Sequence, residues 1–188
     1  MLRHSGTVEL HTSRLTLRRY APDDAQEMFD NWANDERVTR FLTWTPHESP
    51  AATRLLLEDW CARYADPACY NWGIEYEGRL IGSISVVRLD EQSERAELGY
   101  CLAHAFWNRG LMSEAVSAVR DYLFAEVGFH RLEISHAVKN PGSGRVAQKC
   151  GFRYEGTKRD SFKTTAEEYL DIAFYGLLRR DWENERRV

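Results

Sequence analysis

The order of periodic segments along this 188-residue chain predicts a mixed β-sheet with helices on its faces. Three observations carry that prediction. An alternating apolar run lies near the start, three strand-like segments follow one another between residues 70 and 102, and helix-like and strand-like segments alternate after that. In the first run, residues 10–20, Leu15 and Leu17 alternate with Thr16 and Arg18, the pattern of a half-buried strand. Pro22-Asp23-Asp24 then opens a helix to about residue 33, with acidic side chains at its positive end. Residues 35–42 form a second short helix. Ser49 is a good N-cap, Pro50 suits the first helical position, and the helix behind them runs to about residue 64. Its apolar side is assigned to Leu55, Leu56 and Trp60.

Residues 70–76 read as a strand, Glu77-Gly78 as a turn and residues 80–89 as the hairpin partner. Residues 96–102 are the next strand. Residues 112–127 form a helix with Ala115, Val116, Val119, Tyr122 and Leu123 on one stripe, stopped by Gly128. A strand at 131–138, a short helix at 143–150 and two closing strands at 152–156 and 169–178 complete the order.

Hydrophobic content of 43% and charged content of 29% suit a globular protein, and this length suits one domain rather than two. A net charge of −4 excludes nucleic-acid binding by bulk charge. Cys61, Cys69, Cys101 and Cys150 form no C-x-x-C pair, so no metal site is expected and free thiols are. Residues 1–6 lack an apolar signal core and no run reaches membrane-spanning length, so no membrane association and a cytoplasmic location are expected. There is no linker, internal repeat or low-complexity block.

The chemistry concentrates in two blocks. Trp107-Asn108-Arg109-Gly110-Leu111-Met112-Ser113-Glu114-Ala115 is a glycine-containing loop that runs from a strand into a helix. Such a loop turns backbone N–H groups toward one point and adds the helix dipole there, which attracts phosphate. It lacks the Gly-Lys-Ser/Thr ending of a nucleotide P-loop. The second block is Asn140-Pro141-Gly142-Ser143-Gly144-Arg145-Val146, then Lys149-Cys150-Gly151-Phe152.

In this order and separation the two blocks resemble the acyl-coenzyme-A-binding core of the GNAT N-acetyltransferases. The chain is further similar to the RimJ/RimL-type branch, which acetylates ribosomal-protein N-termini. That likeness runs through residues 10–18, 40–47, Glu97-Leu98-Gly99-Tyr100, both blocks, Glu155-Gly156, Tyr169-Leu170-Asp171, residues 175–178 and Trp182. It implies a central mixed, mostly antiparallel sheet of about seven strands flanked by helices, with acetyl-CoA as co-substrate. The family loop reads Gln/Arg-x-x-Gly-x-Gly/Ala, whereas Trp107 and Met112 hold the outer slots here and Gly110 alone fits the strict pattern. Many relatives place a proton-donating tyrosine on the helix after the second block. That slot is Ala147, which excludes a tyrosine acid from there.

The resemblance implies that amides from Asn108 to Ser113 (Asn108, Arg109, Gly110, Leu111, Met112, Ser113) wrap the pyrophosphate. Asn140 would bind pantetheine, and the strand at Cys101 and Leu102 would part from its neighbour to face the thioester. Ser143 either caps its helix or assists the leaving sulfur, or does both. Glu97 is the first candidate for the base, with His104 or a water relay as alternatives, while His136 reads as a core histidine. Trp44, His47, Tyr169 and Asp171 are candidate acceptor contacts; Phe41 and Trp60 read as core. Cys101 reads as a core thiol rather than a nucleophile.

The acceptor is expected to be a protein N-terminal α-amine, possibly ribosomal, or else a small amine such as an antibiotic, polyamine or amino acid. An α-amine has a pKa of roughly 7.7–8.0 against about 10.4 for lysine, so it needs only a weak base. A catalytically idle acyl-CoA-binding module is the reading of another class. Monomer and homodimer both remain open.

Overall fold

The computed structural model describes residues 1–165 and 167–186, and its elements follow the expected order with two additions, a divided first strand and a closing helix. The first strand is in fact two, β1 (Leu10–His11) and β2 (Leu15–Arg18), folded back so that Leu10 faces Leu17. Thr12 closes the turn between them. Its N–H donates to the carbonyl of Leu15 at 2.9 Å, and its hydroxyl oxygen accepts from the N–H of Leu15 at 2.9 Å. Next come α1 (Ala25–Met28), prolonged by a wide turn over Phe29–Ala33, and α2 (Glu36–Thr39). Then α3 (Pro50–Arg63) starts as expected, with Ser49 accepting from the N–H of Ala52 at 3.2 Å.

Three strands follow, β3 (Asn71–Tyr76), β4 (Arg79–Asp90) and β5 (Arg95–Leu102). After them come α4 (Leu111–Tyr122), β6 (Arg131–Ala137), α5 (Pro141–Lys149), β7 (Arg153–Lys163), β8 (Tyr169–Leu178) and α6 (Arg179–Glu185). β7 runs well past residue 156 because two bulges keep it in register with β8. The eight strands form one sheet in the order β1-β2-β3-β4-β5-β6-β8-β7, rather than the seven expected. Every neighbouring pair is antiparallel except β5 with β6.

Side-chain alternation sorts the helices onto the two faces. Trp72 points to Tyr122 on α4, with ring centroids 6.1 Å apart. Its neighbour Gly73 faces the other way, where a Cβ would meet the Tyr20 ring, and Tyr20 packs on Trp60 of α3 at 5.3 Å. So α4 lies on one face and α3 on the other. α5 joins α4: the Arg120 guanidinium donates to the carbonyl of Cys150 at 2.8 Å. Trp32, Trp72, Phe124 and Phe129 are fully buried in the core. No helix among the described residues is long and apolar enough to cross a membrane, and all four cysteines are free.

One expectation fails on α3. Leu55 is 69% exposed, while Leu57 is fully buried. Two residues along a helix turn the side chain by roughly 200°, so only one of the pair can face the sheet. Thr53 and Leu57, one helical turn apart, take the inner stripe, with Leu56 and Trp60 half-buried at its edges. Leu57→Ala should therefore destabilise the protein by about 2–4 kcal/mol, and Leu55→Ala by less than about 0.5 kcal/mol. Paired urea denaturation curves would check this; equal losses would place the helix in the wrong rotation.

Candidate active site

The site begins where a pairing stops. β5 and β6 run side by side only from Arg95↔Arg131 to Leu98↔Ile134. Beyond that, β5 continues along β4 as far as Leu102↔Gly82, and β6 continues along β8 as far as Ala137↔Ile172. The strands fork, and the edge of β5 from Gly99 to Leu102 loses its neighbour. A cleft of about 450 Å³ opens there, within the range of cofactor sites.

The cleft collects most of the candidate cofactor residues. Cys101, Leu102, Trp107, Asn108, Gly110, Leu111, Met112, Ser113, Asn140 and Ser143 line it. Arg109 does not; its guanidinium sits 5.2 Å over the Phe106 ring. Asn108 (φ 61°) and Gly110 (φ 77°) both take the left-handed conformation. Gly110 is the N-cap of α4 and has no side chain to satisfy the first turn. The N–H groups of Leu111, Met112 and Ser113 have no protein acceptor among the described residues. Free amides and a dipole end thus face the cleft, and α5 adds Arg145 and Lys149 one turn apart on its wall. Neither has an acidic partner among the described residues, so this end of the cleft suits phosphate.

A clamp that sequence reading missed holds this loop. Glu114, in the first turn of α4, accepts from the Thr12 hydroxyl (2.5 Å), the Ser13 hydroxyl (3.1 Å) and the Arg14 N–H (3.0 Å). The Arg14 guanidinium reaches the same carboxylate at 2.6 Å and also donates to the carbonyl of Arg109 at 3.1 Å. The β1–β2 turn is thereby fixed to both the loop and the helix start. Burial alone would raise the Glu114 carboxyl, but the bonds from Thr12, Arg14 and Ser13 outweigh it and hold the group below its ordinary value.

Asn140, not Ser143, caps α5. Its side-chain oxygen accepts from the N–H of Ser143 at 3.4 Å, so the helix starts at Pro141. The Ser143 hydroxyl instead donates to the Tyr100 oxygen at 3.0 Å, and the Tyr100 hydroxyl donates to the Ser143 carbonyl at 3.1 Å. Tyr100, which the sequence places only on a strand, also lines the cleft. Burial pushes its hydroxyl well above the ordinary tyrosine value, so it stays protonated. Burial also pushes the Cys101 thiol up to about 12, which leaves a neutral thiol and a poor nucleophile.

Glu97 lies one residue before the fork. It points away from Tyr100, by strand alternation, into a second groove on the opposite face with Arg88, Arg95, Glu133, Lys158 and Phe174. The Ser135 hydroxyl donates to its carboxylate, and Arg88 lies 3.8 Å away. His104 is exposed, its ring 4.7 Å from that of Trp107. His136 donates from Nδ1 to the carbonyl of Ala137 at 2.8 Å, while its Nε2 is buried without a partner, so it is a core histidine only half satisfied.

The four candidate acceptor contacts do not line the cleft. His47 shares a 2.7 Å hydrogen bond with the Thr53 hydroxyl, and its ring lies tilted 5.2 Å from that of Trp44. Burial lowers the His47 imidazole below its ordinary value. Asp171 accepts from the N–H of Asp160 at 2.9 Å and so supports the irregular stretch of β7. Tyr169 is exposed at the start of β8, beside a hairpin tip whose Glu168 pairs with the cleft residue Lys139.

Residues 14–153 match the family described as "Acetyltransferase (GNAT) domain". The chain belongs to the GNAT acetyltransferases. It is 33% identical over 175 residues to the "Putative ribosomal N-acetyltransferase YdaF" of Bacillus subtilis, covering 92% of this chain and 95% of that protein. It is 25% identical over 183 residues to the "[Ribosomal protein uS5]-alanine N-acetyltransferase" of Escherichia coli, covering 93% of each. The solved structure of a "Probable acetyltransferase" superposes with a TM-score of 0.85 at 29% identity, over 93% of this chain and 99% of that one. The protein is therefore an acetyl-CoA-dependent N-acetyltransferase of GNAT type.

The clamp gives the acetyltransferase a defined acid response. The folded-state pKa of Glu114 is depressed, so its contribution is full above the ordinary carboxylate range, about 4.3, and is lost as pH falls through the lower folded value. Glu114→Gln should be less stable than the parent at pH 7, and the gap should shrink by pH 3. Arg14→Ala should raise KM for acetyl-CoA about fivefold, roughly one hydrogen bond's worth, with kcat nearly unchanged. A kcat loss without a KM change would show that the clamp does not serve the cofactor loop.

Proposed function

We propose that this acetyltransferase acetylates a protein N-terminal α-amine by direct attack in a ternary complex, with the whole chain acting as one catalytic domain. The observation that carries this reading is the fork. The cleft with the phosphate-binding loop opens on the helix α4 and α5 face, and the groove with Glu97 opens on the other. Glu97 lies one residue before the point where β5 and β6 part, so a cofactor in the cleft and an acceptor in the groove would approach that point from opposite sides.

The amine nitrogen attacks the thioester carbonyl, the C–N bond forms, and the C–S pair leaves on sulfur. Glu97 accepts the proton the amine loses. A free N–H of β5 at Cys101 or Leu102 stabilises the carbonyl oxygen, and Ser143 hydrogen-bonds the departing sulfur. Asn140 and the amides from Asn108 to Ser113 hold the cofactor, with Arg145 and Lys149 as added charge. Glu97 is bonded by Ser135, lies 3.8 Å from Arg88 and has no histidine partner among the described residues. An α-amine, already partly neutral near pH 7, needs only a weak base. The names of the Bacillus subtilis and Escherichia coli relatives support a ribosomal protein as the acceptor. Trp44, His47, Tyr169 and Asp171 are left as contacts for the acceptor chain beyond its first residue.

The test is free-thiol release from acetyl-CoA with paired peptides, free or blocked at the N-terminus and starting with Ala, Ser, Thr or Met, beside a panel of small amines. Release with free peptides alone is expected. Release with small amines alone would move the acceptor to metabolites or antibiotics, and CoA binding without any release would leave an acyl-CoA-binding module. Glu97→Gln should lower kcat about 100-fold at pH 7, with partial recovery by pH 9 as the amine deprotonates unaided.

A further inference from the structure

Tyr100 occupies the fork itself. Its backbone belongs to the unpaired part of β5, and its side chain crosses to the first turn of α5. There its hydroxyl lies within hydrogen-bond distance of two oxygens of one residue, the Ser143 carbonyl at 3.1 Å and the Ser143 hydroxyl at 3.0 Å. A phenol has one proton to give and can turn it toward either oxygen. In the present arrangement the carbonyl takes it, and the Ser143 proton points back at Tyr100. A serine held so has no proton free for sulfur.

We propose that Tyr100 is the positioning residue for Ser143, and that turning its proton from the Ser143 carbonyl to the Ser143 hydroxyl oxygen releases the serine proton toward the leaving sulfur. This rests on the reading of Ser143 as the group that meets the sulfur. No net proton leaves the pair: Tyr100 donates a hydrogen bond to Ser143, and Ser143 donates one to the thiolate that forms when the C–S pair moves to sulfur. The Ser143 carbonyl keeps its ladder partner within α5 when the phenol turns away. Burial favours the same division of roles, because a buried phenol resists ionisation and remains a donor throughout. The helix slot from which a tyrosine acts in many relatives is Ala147 here, so Tyr100 approaches the same helix from the strand instead.

The test is a double-mutant cycle on the full chain, with kcat and KM for acetyl-CoA measured for Tyr100→Phe, Ser143→Ala and the pair. Tyr100→Phe should lower kcat about tenfold, one hydrogen bond in the transition state, with KM changed less than about twofold. In the Ser143→Ala background the same change should alter kcat less than about twofold, since there is no serine left to position. A purely structural role would instead give additive losses, or a rise in KM with kcat unchanged, and either result overturns the inference while leaving Ser143 in place. If Ser143→Ala alone keeps full kcat, the reading of Ser143 fails and the inference with it. Melting curves of each variant, with and without CoA, separate a folding loss from a chemical one, and Ser143→Thr, which keeps a hydroxyl, should remain sensitive to Tyr100→Phe.

Discussion

The parting of β5 from β6 after Leu98↔Ile134 is the constraint on which the rest of the site depends. A parallel pair carried to its end would satisfy every edge amide and leave no gap. Ending it early exposes the edge of β5 from Gly99 to Leu102, and such unpaired backbone groups are unfavourable unless something bonds them. A ligand with amides of its own is a fitting partner, and pantetheine is one. The fork persists because both strands remain tied elsewhere, β5 to β4 and β6 to β8. It is wedged by Tyr100, whose hydroxyl bonds to α5 rather than to the sheet.

The same logic governs the loop. Gly110 caps α4 without a side chain, so the first-turn amides are left for a ligand rather than for the protein. A glycine N-cap leaves a helix start less stable than a side-chain cap by about a few tenths of a kcal/mol. The Thr12, Ser13 and Arg14 contacts to Glu114 offset part of that loss from the outer side, where they do not occupy the amides. Glu114 also places a negative charge at the positive end of the helix. The loop is thus rigid and still open.

What was legible in the sequence was what is local. The Trp107 to Ala115 loop and the Asn140 block are continuous stretches whose residues act together, and both lie on the cleft wall. The element order was legible for the same reason, since periodicity is a local property. What escaped was pairing across distance. Arg14 and Glu114 are far apart in the chain, as are Tyr100 and Ser143, and no spacing rule links them. Ser143 was open between capping and chemistry because a serine near a helix start is ambiguous. In the structure Asn140 is the N-cap of α5, its side chain accepting from the Ser143 N–H, and the serine hydroxyl bonds to Tyr100 instead. The first strand divides in two because β1 is only two residues long, too short for its own alternation to show, and the Leu15–Leu17 alternation belongs to β2 alone.

A division of labour between the two faces of the sheet follows. On the proposed reading the cofactor is held by backbone amides and the side chains that brace them, all on the α4 and α5 side. The other groove is lined by side chains of both charges, with Glu97 and Glu133 beside Arg88, Arg95 and Lys158. Backbone recognition constrains conformation more than residue identity, whereas a charged groove is set by identity alone. Glu97 is held from both sides, by the Ser135 hydroxyl within the sheet and by Arg88 of the groove 3.8 Å away. The fork lies between the two surfaces and lets them vary separately. A scaffold built so can keep one co-substrate and still accept different amines.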